Sequence, residues 1–190
     1  MTKSLMISIQ PKHLVNILNG NKTLELRKTV PKDFKGWVYI YVSRGKDRLS
    51  VVHDDEICKT YYYLNSTWGR ELNGEVFARF WFDEYIAYKY YKDDNSYFAK
   101  RPQDFGYGAE EVLKRLCLSR DEFKAYGKGK DLYAWHIKKL EIFDKPKELG
   151  EFYKSKITDL LSVSKVKSAY IQLDKAPQSW QFVYTKEELK

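Results

Sequence analysis

Cysteine is scarce in this chain of 190 residues, which has only Cys58 and Cys117. With no CxxC spacing and no His/Cys cluster, neither a disulfide scaffold nor a zinc finger follows, and free buried thiols are expected. Long hydrophobic runs are missing too. Nowhere do eighteen apolar residues occur together, and the opening MTKSLMISIQPK holds no apolar run of signal-peptide length. That predicts a soluble, cytoplasmic protein with no membrane partner. The only histidines, His13, His53 and His136, are scattered, so no triad, metal-ligand set or cofactor motif can be read from them. No internal repeat is visible.

Acidic residues are rare in one place. Residues 1–50 hold ten Lys/Arg against Glu25, Asp33 and Asp47, a balance of +7, whereas the whole chain carries +8. Nearly all the excess charge therefore lies in the first quarter. It is either a solubilising surface or the footprint of an anionic partner, with nucleic acid the first candidate. Hydrophobic residues at 43% and aromatics at 16% are too many for a disordered chain, so the aromatics belong to a core or to a contact surface. The length suits one domain over 1–190.

LMISI, residues 5–9, reads as a short buried strand. PKHLVNILNG then reads as a helix with Pro11 in its first turn, Gly20 as its stop, and Leu14, Val15 and Leu18 as its apolar stripe. KTLELRK alternates Thr23, Glu25 and Arg27 against Leu24 and Leu26, the period of a half-buried strand. WVYIYVS (37–43) is apolar in both phases, as a central strand is. NGEVFARFWF is a strand with Val76, Ala78, Phe80 and Phe82 on one face. AEEVLKRLCL is helical, and SRDEFKAYG is a short helix capped by Ser119 and stopped at Gly127. DLYAWHIKKLEIF (131–143) reads as one long strand and SWQFVY as a last short one. Segments 46–73 and 88–118 lack periodicity and read as insertions, with 146–190 a C-terminal extension. The order indicates an α+β fold, a small mixed β-barrel of five to seven strands flanked by short helices.

Within NGNKTLELRK (19–28), Glu25 and Arg27 project together from a strand, and Lys22 in the preceding turn has the reach to join them. Two cations and one carboxylate then converge without entering the core. Such a group can bind an anion while the glutamate orients the arginine. GNKTLELRK resembles the G-x-K-x-x-E-x-R signature of the ASCH domain family, a branch of the PUA-like barrels, at Gly20, Lys22, Glu25 and Arg27. SIQPKHLVNILNG, GWVYIYVS and YAWHIKKLEIFDKPKELGEF extend the likeness. APQSWQFV (176–183) looks like the C-terminal segment of longer, phage-type members.

The resemblance implies a PUA-like barrel with a cleft over the signature, used for RNA or modified-base binding, and in some members for hydrolysis. Family amidohydrolases acting on acetylated cytidine resemble G-x-K-x-x-T-x-R. Their threonine nucleophile is replaced here by Glu25, with Thr23 two residues away on the same face. A ribonuclease would need an acid/base pair, which Glu25 and Lys22 could supply.

The expected binding residues are Lys22, Glu25, Arg27, Ser43, Arg44 and Trp180, with RNA, another nucleic acid or a modified nucleoside as partner and no cofactor. Each has a plainer reading beside it. Lys22, Glu25 and Arg27 are alternatively a solvated ion-pair cluster; Ser43 and Arg44, a polar strand end; Trp180, a plug pinning the C-terminal segment instead of a stacking platform for a base. YYY (61–63) and YKYYK (88–92) suit single-stranded RNA or a packed mini-core equally.

Overall fold

A computed structural model describes residues 3–100, 109–156 and 169–189. Chain order runs β1 (Ser4–Ile9), α1 (Pro11–Leu18), β2 (Leu24–Arg27), β3 (Gly36–Val42), β4 (Leu49–Asp54), β5 (Lys59–Leu64), β6 (Arg70–Glu71) and β7 (Val76–Phe82). It continues β8 (Tyr85–Tyr91), β9 (Ser96–Lys100), α2 (Ala109–Leu116), α3 (Arg120–Gly127), β10 (Leu132–His136) and β11 (Leu140–Lys147). β12 (Phe152–Lys156), β13 (Ala169–Gln172) and β14 (Trp180–Thr185) complete it. The strands form a seven-stranded sheet, β11-β7-β3-β1-β14-β12-β13, a four-stranded sheet, β2-β10-β8-β9, and a three-stranded sheet, β5-β4-β6. The α+β class stands. Among the described residues no ladder closes on itself.

The two larger sheets share one bent antiparallel ribbon. β7 runs on into β8 and β10 into β11, and three bonds carry the ladder across the bend: His136 N–H to Glu84 O, Lys138 N–H to Trp81 O, and Trp81 N–H to Lys139 O. The long strand expected over 131–143 is therefore two, broken at 137–139 where its partner changes from β8 to β7. On the far side, β2 reaches β1 and β14 through side chains. The Arg27 guanidinium donates to Ser8 O at 2.8 Å and Ser179 O at 3.3 Å, and the Trp180 indole N–H donates to Thr29 Oγ1 at 2.9 Å.

The main core lies inside this arrangement. Ile7, Val38, Ile40, Phe80, Phe82 and Trp135 pack there with Leu14 and Ile17 of α1. Val76 is absent from that face. A bulge between Ile40 and Tyr41 puts an extra residue into β7, so Phe77 turns inward and Val76 joins Met6, Tyr39, Phe152 and Val183 on the outer face. The extension from 146 onward thus supplies three strands of the large sheet and covers it. A third core, with Leu24, Leu26, Ile86 and Ala134, seats α2 and α3 on the four-stranded sheet.

Segment 46–73, read from its lack of periodicity as an insertion, forms the three-stranded sheet, and Tyr62 and Leu72 of it enter the main core. Residues 88–91 and 96–100 likewise belong to β8 and β9, joined by a turn. The part of the 88–118 segment over 101–108 lies outside the described residues. Both cysteines are free, but Cys58 is exposed and Cys117 half-buried instead of buried.

Candidate nucleic-acid interface

The helix after β1 stops where expected. Asn19 caps α1 and Gly20 takes a left-handed φ of 75°, which a residue with a side chain would adopt only at a cost. That turn delivers Lys22 beneath β2. Glu25 Oε2 lies 3.4 Å from Lys22 Nζ, and Oε1 lies 3.0 Å from Arg27 Nη2. The three converge as the sequence predicts, but their exposure does not match: Lys22 is 3%, Glu25 6% and Arg27 6% exposed. β2 is covered on both faces, with leucines against α2 and α3 and charged residues against the C-terminal segment and α1. Buried charges persist when their hydrogen bonds are met, and here backbone carbonyls accept from the Lys22 ammonium and the two terminal nitrogens of Arg27. Lys22 Nζ donates to Leu116 O at 2.8 Å, and Arg27 serves Ser8 and Ser179.

These residues form the floor of a cleft of about 500 Å³. The end of β1, the first turn of α1 with Lys12 and His13, and Ser43 after β3 build one side. Glu122 and Tyr126 of α3 and Gln178 build the other. The 176–183 segment closes the end, with Ser8 Oγ donating to Pro177 O at 2.6 Å. Arg27 Nε is buried with no hydrogen-bond partner, leaving an unmet donor in a cleft-lining side chain.

Burial works against ionisation of Glu25, but Lys22 and Arg27, with His13 behind them, outweigh it and hold the carboxyl below the ordinary glutamate range. A carboxylate so stabilised is a weak proton acceptor. His13 is the opposite case. Burial lowers its pKa, Lys22 and Lys12 push the same way, and Glu25 and Glu122 oppose them, so the imidazole is neutral at physiological pH. Neutral, it offers one donor and one acceptor to the cleft. Sequence alone missed His13, Lys12, Glu122 and Tyr126; the first-turn position of His13, one helix away from the signature, was the available signal.

The remaining expected residues divide. Ser43 lines the cleft. Arg44 is exposed, with its guanidinium laid against Gly74, outside the lining. Trp180 also stands outside it, packed on Trp135 (6.4 Å between centroids) and Phe182 (5.8 Å), as a plug would be. Thr23 receives the Arg115 Nε–H at 2.8 Å and does not line the cleft. His53 pairs with Thr60 on the β4–β5 hairpin, and His136 lies beside Asp83. No helix among the described residues is long and apolar enough to cross a membrane.

No family model matches the chain, and no curated protein does. Among solved structures the chain is similar to the crystal structure of ASCH from Zymomonas mobilis, at 14% identity and a TM-score of 0.47, over 98% of this chain and 90% of that one.

Proposed function

We propose that this protein binds RNA or a modified nucleotide, taking one nucleotide into the cleft over Lys22, Glu25 and Arg27. The observation that carries the reading is a cleft of about 500 Å³, room for a single base with its sugar, over a floor of two cations and one carboxylate. Lys12 stands exposed at the rim, within the N-terminal quarter that holds the positive excess, and suits an incoming phosphate. The fold reading that accompanies it is a PUA-like barrel whose last seam, β2 against β1 and β14, is held by Arg27 and Trp180 in place of a ladder.

The test is a titration of short single-stranded RNA at several salt concentrations. Affinity should fall steeply with salt, and Lys12→Gln should reduce the slope of log affinity against log salt by about one. Absence of binding at low salt, or binding indifferent to salt, refutes the reading.

A hydrolase acting on RNA or on acylated nucleosides is a second reading, favoured by His13 alone, a neutral imidazole that lines the cleft and can accept a proton there. It requires wild-type turnover that His13→Gln lowers by about 10²-fold while binding persists. Binding without turnover dismisses it.

A further inference from the structure

The bend in the ribbon shared by the two large sheets gathers a second set of charged side chains. Asp83 and Glu84 fill the gap between β7 and β8, and His136 ends β10 opposite them. Asp83 Oδ1 lies 2.9 Å from His136 Nδ1, and Glu84 Oε1 lies 3.6 Å from the same nitrogen. One ligand atom from each residue falls within 4.8 Å of the other two. Donors held about 2.1 Å from one ion stand about 3.0 Å apart in octahedral and about 3.4 Å apart in tetrahedral geometry, so this spacing suits a common ion.

We propose that Asp83, Glu84 and His136 bind one divalent transition-metal ion, with water completing its coordination.

Three further features support the site. Lys138 Nζ meets Asp83 Oδ2 at 2.9 Å, which fixes the carboxylate and leaves Oδ1 toward the imidazole, as outer partners of metal ligands do. Asp83 and Glu84 bring two carboxylates to the group against the Lys138 ammonium, and the Arg115 side chain lines the adjoining void. A small void of about 40 Å³, lined by Glu84 and His136, adjoins the donors and has room for water. The frame is rigid as well, because His136 N–H bonds to Glu84 O at 3.0 Å across the bend. One imidazole and two carboxylates suit zinc, cobalt or manganese. This site is distinct from the nucleotide cleft. His136 pairs with Leu24 on the face of the third core, whereas Glu25 pairs with Trp135 and faces the other way. The ion would staple the ribbon on which both sheets depend.

The experiment titrates zinc chloride into chelator-treated full-length protein by calorimetry and follows thermal unfolding with and without the metal. The expected result is one ion per chain and a rise in Tm. His136→Ala and Glu84→Gln should each weaken binding about tenfold or more. His53→Ala, at the exposed His53–Asp55 pair, should change nothing. Failure of the wild type to bind zinc overturns the proposal, as does binding lost in His53→Ala but kept in His136→Ala. If the His136 or Glu84 variants do not fold, anomalous scattering from zinc-soaked wild-type crystals decides. A peak at His136 Nδ1 supports the site, and a peak elsewhere or none overturns it.

Discussion

Glu25 lies between two buried cations, and that position determines what its replacement does. Gln at this position leaves Lys22 and Arg27 without a counter-charge in a floor that water barely reaches, a loss of about 3–5 kcal/mol for a broken buried pair. Urea unfolding of Glu25→Gln should show that loss in full. Lys12→Gln at the exposed rim should stay within about 0.5 kcal/mol of wild type. Rim variants, and not floor variants, therefore separate binding from folding. Arg27→Lys is expected to weaken the seam as well, since one ammonium cannot span Ser8, Ser179 and Glu25 as the guanidinium fork does.

At the scale of elements, α3 shows how a local signal shapes the cleft. Glu122 N–H donates to Ser119 Oγ at 3.2 Å and Ser119 N–H to Glu122 Oε2 at 2.8 Å, a reciprocal cap that also fixes the rim glutamate. Ser119→Ala should cost about 1 kcal/mol in urea unfolding. Gly127 has a role other than the expected stop. The left-handed residue is Lys128, φ 51°, while a side chain at 127 would run into the ring of Tyr97. Gly127→Ala should therefore destabilise by about 1–3 kcal/mol through overpacking, measured in the same way.

For the molecule as a whole, the cleft charges couple folding to pH in two steps. The His13 imidazole has its pKa lowered by burial, so as pH falls below about 6.5 the unfolded chain takes up a proton before the folded one does and stability declines. Glu25 acts lower down. Its pair is intact above the ordinary glutamate value of about 4.5 and is lost as pH falls through the depressed folded value, alongside Asp83, which Lys138 and His136 hold down against burial. Urea midpoints measured from pH 8 to 3 should show a shallow decline near 6.5 followed by a steep one below 4.5. His13→Gln should remove the first alone.

The elements whose pattern is local were legible in the sequence: β1, α1 with its Gly20 stop, β3, the Ser119 cap, and the convergence of Lys22, Glu25 and Arg27. Each rests on a period of two or 3.6, or on a capping residue, and such signals act within a few positions. Tertiary structure decided the rest. Segment 46–73 shows no alternation because tyrosine stands on both faces of β5, Tyr62 in the core and Tyr61 and Tyr63 on the opposite side. The bulge at Ile40 reversed the face of Val76. The burial of the charged triad depended on the carbonyls of Leu116 and Ser179, about 90 and 150 positions away, together with that of Ser8, and these make such burial tolerable. Asp83 meets His136 for the same reason, across a ribbon that only folding assembles.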